Sequence, residues 1–212
     1  MSEAHLKAEK RAILAAALPT VAFDGWSAQT LRTATEAAGF DAAMALRAFP
    51  NGAIDLLEFF MADADRQMLD DLAAVDLAAL KIRERIATAV RLRLERQAPN
   101  KEAIRKALAV LALPVNAGRA LRSLYRTVDA IWYAAGDTAT DFSFYSKRML
   151  LAGVYSATLL HWLDDKSMDQ AATAAFLDRR IGDVMRIQQL RGRLGSLTAN
   201  WPDPSRLFRR RA

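Results

Sequence analysis

Residues 26–51 read WSAQTLRTATEAAGFDAAMALRAFPN, and this stretch decides the fold. The hydroxyl of Ser27 is suited to cap a helix over 28–38, because it can accept from a backbone N–H that the first helical turn leaves without a partner. Gly39 is placed to end that helix in the left-handed region. A second short helix then runs over about Ala42–Ala48 and stops at Phe49-Pro50-Asn51-Gly52, where proline removes a donor and glycine loosens the backbone. Two short helices across a glycine turn make a helix-turn-helix.

Working outward, helical periodicity continues in both directions. Upstream, His5–Val21 carries Leu6, Ile13, Leu14, Ala17 and Leu18 on one side, with Pro19 expected to bend or close the helix. Downstream, a helix from Ala53 turns Ile54, Leu56, Leu57, Phe60, Met61 and Leu69 inward. Residues 79–97 space Leu80, Ile82, Ile86, Val90 and Leu94 between arginines, and Pro99-Asn100 precedes a helix over Lys101–Leu113. Residues 119–135 give a stripe of Leu121, Leu124, Tyr125, Val128, Ile131, Trp132 and Ala135. After Gly136-Asp137, Thr138-Ala139-Thr140-Asp141 has a capping-box pattern for a helix to about Leu163, and Ser167-Met168-Asp169-Gln170 has another for a helix to about Leu190. No strand pattern appears, so the fold class is all-α. Met149–Leu163 is uncharged over fifteen residues, short of the roughly 20 a membrane-spanning helix needs. It therefore reads as a helix buried on several sides.

The chain has 212 residues, no cysteine and two histidines, His5 and His161, so disulfides and thiolate metal sites are excluded. His161, inside the apolar run, reads as a core histidine rather than a metal ligand, and Asp164 and Asp165 as solvated. No Glu-x-x-His pair, nucleophile elbow or phosphate-binding glycine loop occurs, so no enzyme activity, metal or cofactor is implied. The net charge of +6 is distributed in blocks: −3 over 24–60, −4 over 61–76, +9 over 77–126, −4 over 127–178 and +7 over 179–212. The basic blocks point to anionic partners for the middle and the tail.

Residues 26–57 resemble the DNA-binding head of tetracycline-repressor-type regulators, through Trp26-Ser27, Thr30-Leu31, Glu36-Ala37-Ala38-Gly39-Phe40 and Ala48-Phe49-Pro50-Asn51. The resemblance implies a small helix-turn-helix head on a larger helical ligand-binding and dimerisation domain. The chemistry of the head argues against DNA as a partner. Its second helix offers only Arg47 among base-reading side chains, Gly52 stands where a regulator carries a phosphate-gripping cation, and the block is acidic.

Five further motifs recur in order: Lys81-Ile82-Arg83-Glu84-Arg85-Ile86, Leu111-Ala112-Leu113-Pro114, Gly136–Phe142, Leu151-Ala152-Gly153-Val154-Tyr155 and Phe176-Leu177-Asp178-Arg179-Arg180-Ile181. With Phe23-Asp24-Gly25-Trp26, they resemble the lipid-binding accessory family of ubiquinone biosynthesis, the coenzyme Q nine proteins, over about residues 10–188. The resemblance implies a non-enzymatic homodimer that binds an isoprenoid ubiquinone precursor or phospholipid and presents it to the di-iron hydroxylase of the pathway. It divides the chain into a degenerate helix-turn-helix head (1–52), a lipid-binding and dimerisation domain (53–190) and a basic, flexible tail (191–212). Lipid-lining candidates are Leu121, Leu124, Val128, Ile131 and Trp132 on one helix and Leu151, Val154, Tyr155, Thr158 and Leu159 on the next; the sequence leaves open whether they line a pocket or fill a core. The family's docking surface maps onto Asp141, Phe144, Tyr145 and Arg148, spaced along one helix face, with Phe144 where the family usually has Trp. Without the targeting segment of eukaryotic members, the expected location is peripheral, on the inner face of a bacterial cytoplasmic membrane, with the basic tail as a membrane contact. The alternative reading is a ligand-responsive transcriptional regulator.

Overall fold

The computed structural model describes residues 3–136 and 142–199, with the side chains of 142–144, 185 and 187–199 left aside. The described residues form helices and short turns, with no strand among them. The head comprises α1 (Glu3–Asp24), α2 (Ala28–Ala37) and α3 (Ala42–Ala48). Both short helices are capped as their sequence dictates. Ser27 Oγ accepts from the Thr30 N–H at 3.1 Å, and Asp41 Oδ1 accepts from the Met44 N–H at 2.8 Å. Gly39 takes a φ of 80° at the end of α2.

Two features of α1 and α4 differ from the sequence reading. Helix α1 passes through Pro19 to Asp24 instead of ending near it. Pro19 and Ala15, whose carbonyl loses its partner, both lie on the exposed side, where water can satisfy that carbonyl. In α4 (Ala53–Leu72), Leu69 is exposed while Met68 and Leu72 are buried. The inward row there runs Leu57, Met61, Ala64, Met68, Leu72 at steps of four and three, and Leu69 falls one position round the helix.

The body is completed by α5 (Ile82–Arg96), α6 (Lys101–Leu111), α7 (Ala117–Ala134), α8 (Phe142–Asp164) and α9 (Ala171–Ala199). Helix α5 begins only at Ile82, because Asp76 caps a short 3-10 turn over 77–79 and Glu84 accepts from the Lys81 N–H at 3.0 Å. Helix α9 continues past the expected end at Leu190 as far as Ala199, through Gly192 and Gly195. The capping pattern at 138–141 lies outside the described residues, as does residue 200 onward of the expected tail.

Head and body are joined by specific polar contacts as well as by apolar packing. The Trp26 indole N–H donates to the Ala103 carbonyl of α6 at 3.0 Å, while its ring packs 5.2 Å from that of Phe60 on α4. Asp63 on α4 accepts from Arg11 of α1 at 3.1 Å and from Gln67 at 2.8 Å, with Arg66 beside it. Burial alone would raise the Asp63 carboxyl, but these donors outweigh it and hold its pKa below the ordinary value.

At the centre, the Asp65 carboxylate of α4 accepts from Arg93 Nε of α5 (2.9 Å), Arg126 Nε of α7 (3.0 Å) and Thr127 Oγ1 of α7 (2.8 Å). Arg93 is 1% exposed and Asp65 4%. Burial by itself would strip charge from Arg93, but Tyr155 and Asp65 raise its pKa above the ordinary arginine value. Removing one partner of such a pair leaves a charge stranded in the core. Asp65→Ala is therefore expected to destabilise the chain by about 3–5 kcal/mol in urea unfolding. Breaking the half-buried pair of Arg119 with Glu58 (3.1 Å) by Arg119→Ala is expected to cost about 1 kcal/mol or less.

Candidate functional site: an apolar cleft between four helices

A cleft of about 620 Å³ opens where the start of α5 meets the end of α7, the first half of α8 and the middle of α9. Its floor and walls are Ile82 and Ile86, Trp132, Leu150, Leu151 and Val154, and Ile181 and Val184. Lys81, Arg83 and Lys147 complete the lining. The pairs Ile82/Ile86 and Ile181/Val184 stand one helical turn apart, so each helix presents one apolar row to the opening.

The cleft keeps its shape because the chain ends around it are tied. Arg85 donates to the Leu80 carbonyl before α5 (Nε, 2.9 Å) and to the Ala135 carbonyl at the end of α7 (Nη1, 3.1 Å). One guanidinium thus satisfies an orphan carbonyl of α7 and fixes its distance from α5. Gly136 makes room for it: its φ is 86°, and a Cβ there would stand 3.2 Å from Arg85 Nη1. Helix α8 is pinned to α7 by Arg148 Nε, 2.8 Å from Asp129 Oδ1.

The turn from α8 to α9 is set by Asp165, which is not the solvated side chain expected. Its carboxylate accepts from the backbone N–H and hydroxyl of Ser167 and from those of Thr173, at 2.6–2.8 Å. The expected capping box at 167–170 is replaced by a 3-10 turn in which Asp169 and Gln170 have positive φ, and α9 starts at Ala171. Gln170 is held there by its Oε1, which accepts from the Trp162 indole N–H at 2.6 Å. His161 stacks on Phe176 of α9, ring centroids 4.4 Å apart, which places it in the helix packing. Among the described residues no group of three or more His, Asp or Glu side chains could hold a metal ion, and no helix is long and apolar enough to cross a membrane.

The ten lipid-lining candidates separate into four places. Trp132, Leu151 and Val154 line the cleft. Leu124 and Leu159 line a second, smaller chamber of about 290 Å³ on the other side of the α7–α8 layer, with Met61, Leu108 and Leu111. Val128, Ile131, Tyr155 and Thr158 are buried in the core between the two openings and line neither. Leu121 is 65% exposed and lies outside both. The single stripe read on α7 therefore serves three surroundings, since a helix packed on more than one side turns adjacent rows toward different neighbours.

Of the docking candidates, Tyr145 is 63% exposed near the start of α8. Arg148 is 4% exposed and turned inward onto Asp129, so it acts as a strut of the fold and not as part of an outer face. The Phe144 side chain and Asp141 lie outside the described residues. As lining residues, the sequence reading missed Lys81, Ile82, Arg83 and Ile86 before and in α5, Lys147 and Leu150 in α8, and Ile181 and Val184 in α9. The available signal was that two of the recurring motifs, 81–86 and 176–181, both end at this cleft. In the head, Arg47 Nη2 lies 3.5 Å from Glu9 Oε1 of α1, so the one cation of α3 faces a carboxylate.

This arrangement is that of tetracycline-repressor-type proteins. A TetR transcriptional regulator from Nitrosomonas europaea superposes with a TM-score of 0.68 over 82% of this chain and 95% of its own, at 21% identity, which shows the fold alone. Within that fold, residues 117–188 match the COQ9 family model, and the chain is homologous to curated ubiquinone biosynthesis proteins COQ9. It is 34% identical to the rat protein over 181 residues, 36% to that of Xenopus tropicalis over 180 and 32% to the human one over 182. Each alignment covers 82% of this chain but only 56–58% of the relative, so the chain spans less than two thirds of their length. All three relatives are named mitochondrial proteins, which overturns the expected location on a bacterial cytoplasmic membrane.

Burial alone would raise the Asp165 carboxyl, but the four bonds from Ser167 and Thr173 hold its pKa far below the ordinary carboxylate range. Its folded pKa is thus lower than its unfolded one, so its stabilisation is complete above the unfolded value of about 3.9 and is lost as pH falls below it. Asp165→Ala is expected to cost about 1 kcal/mol at neutral pH, a typical capping loss. In urea unfolding followed against pH, the gap between parent and variant should narrow below about pH 4.

Proposed function

We propose that this chain is a non-enzymatic lipid-binding accessory protein of ubiquinone biosynthesis, which holds an isoprenoid precursor and presents it to the di-iron hydroxylase of the pathway. The observation that carries this reading is the 620 Å³ cleft, walled by Ile, Leu, Val and Trp side chains, beside the segment that matches the COQ9 model. A polyprenyl tail needs such an apolar channel with few polar groups, and a cleft of this size lies within the range of small-molecule sites. The pathway and its hydroxylase come from the family resemblance, and the names of the relatives agree with the pathway.

The chain works in this reading as a dimer at a membrane surface, with the head (1–52) retained as packing and DNA not a partner. The hydroxylase docks on the outer face at the start of α8, where Tyr145 stands out with Asp141 and Phe144 as its neighbours on the chain. Arg148 holds that face in place from within through Asp129. The acidic 24–60 block and the engagement of Arg47 by Glu9 weigh against the transcriptional-regulator reading.

Native mass spectrometry and lipid extraction of the purified full chain should recover an isoprenoid or phospholipid. A chain that is lipid-free and also leaves added isoprenoids unbound would refute the proposal. Tyr145→Ala is expected to weaken capture of the di-iron hydroxylase by about 2 kcal/mol, the scale of an interface hot spot, without lowering the melting temperature. Capture unchanged by that substitution would count against docking on α8.

A further inference from the structure

The smaller chamber, of about 290 Å³, has no part in the lipid-binding reading. Its apolar walls come from four helices: Met61 of α4, Leu108 and Leu111 of α6, Leu124 of α7, and Leu159 and Leu160 of α8. Ser123 and Thr127 of α7 and Ser156 of α8 supply hydroxyls, and no charged side chain belongs to the lining. The Asp65 network decides what two of these hydroxyls can do. Thr127 Oγ1 directs its proton to acceptors of the protein itself, Asp65 Oδ1 at 2.8 Å and the Ser123 carbonyl at 3.1 Å. Ser123 Oγ accepts from Arg126 Nη2 at 3.2 Å, so its own proton is left to donate, and no acceptor among the described residues takes it. Ser123 is 5% exposed, and a buried donor in this state calls for an acceptor. The Ser156 hydroxyl, on the neighbouring helix, likewise bonds to no described residue.

Two hydroxyl donors without acceptors, set among aliphatic walls, match one kind of guest: a compact neutral molecule, apolar apart from an oxygen that can accept. A carboxylate or phosphate would give up its water for a hollow with no cation in its walls. A pure hydrocarbon would leave both donors unmet. A cavity of about 150 Å³ is enough to take benzene, so one of about twice that size takes a single substituted ring of about ten carbons. We infer that this chamber is a second ligand site, for small neutral carbonyl compounds, with Ser123 and Ser156 as donors to the carbonyl oxygen. The packed side chains of Val128, Ile131, Tyr155 and Thr158 separate it from the cleft, so the site does not depend on the lipid-binding reading.

The test uses the full chain with carbon-13 methionine methyl groups and three ligands built on one monoterpene skeleton: carvone, a ketone; limonene, the matching hydrocarbon; and perillate, a carboxylate. Met61 lines the chamber and no methionine lines the cleft, so the Met61 methyl resonance, assigned by its loss in Met61→Leu, reports which opening fills. Carvone is expected to shift that resonance and to bind about fivefold more tightly than limonene, the effect of one hydrogen bond of about 1 kcal/mol. Perillate should bind more weakly than either. Ser123→Ala and Ser156→Ala should bring carvone toward limonene while leaving limonene's own affinity unchanged. Ala120→Phe, which fills the chamber, should abolish the shift for both. A Met61 resonance that stays in place up to the solubility limit of carvone, tighter binding of perillate, or a ketone preference that survives both serine substitutions overturns the inference. Equal affinity for carvone and limonene overturns it too, since water then serves the two hydroxyls. Recovery of a bound isoprenoid is read separately, so the lipid-binding reading stands or falls on its own. Ser156 is half-buried and its substitution removes a single oxygen, so the test stands even where Ala120→Phe fails to fold.

Discussion

The Asp65 carboxylate is the constraint on which the body of the molecule depends. It lies in the core at the meeting of α4, α5 and α7 and takes donors from Arg93, Arg126 and Thr127. Buried charge is costly unless every partner is in place, so these helices cannot slide by a residue without stranding Arg93 or Asp65. Apolar rows alone would tolerate such slippage, since one leucine packs much like another. The ion pair thus sets the register of α5 against α7, the helices that bring Ile86 and Trp132 to the lining of one cleft.

From that centre the two openings follow. Helices α7 and α8 form a layer with Val128, Ile131, Tyr155 and Thr158 packed solid inside it. The cleft opens on the α5–α9 side of that layer and the smaller chamber on the α4–α6 side. Arg85 and Gly136 hold the ends of α5 and α7 at a fixed separation, and Asp165 sets the turn that swings α9 back over the cleft. An aperture held by polar contacts at its rim can stay open where purely apolar walls would collapse onto one another.

The head is held to the body by contacts that do not involve the outer face of its helix-turn-helix. Trp26 and Phe60, the Trp26 N–H to Ala103, and Arg11 to Asp63 bind α1 and the turn before α2 to the body. These contacts concern packing, and packing alone is enough to retain the helix-turn-helix. Phosphate binding needs a surplus of cations, and the head offers an acidic block whose α3 arginine faces Glu9.

The sequence by itself determined the all-α class, the cap at Ser27, the turn at Gly39 and the family resemblance, because each rests on local periodicity, capping chemistry or residue order. It named ten apolar residues on two neighbouring helices without separating those beside an opening, Trp132, Leu151 and Val154 among them, from those that fill the core. Only the tertiary structure decided that Leu121 points outward, that Val128 and Tyr155 fill core, and that Arg148 turns in to Asp129. A stripe of apolar residues shows that a helix is buried, but not which neighbour covers each row. Likewise, Lys81 and Arg83 belong to the basic 77–126 block, and nothing along the chain joins them to Lys147. They become a set only because the start of α5 and the start of α8, more than sixty residues apart in sequence, meet at the rim of one cleft.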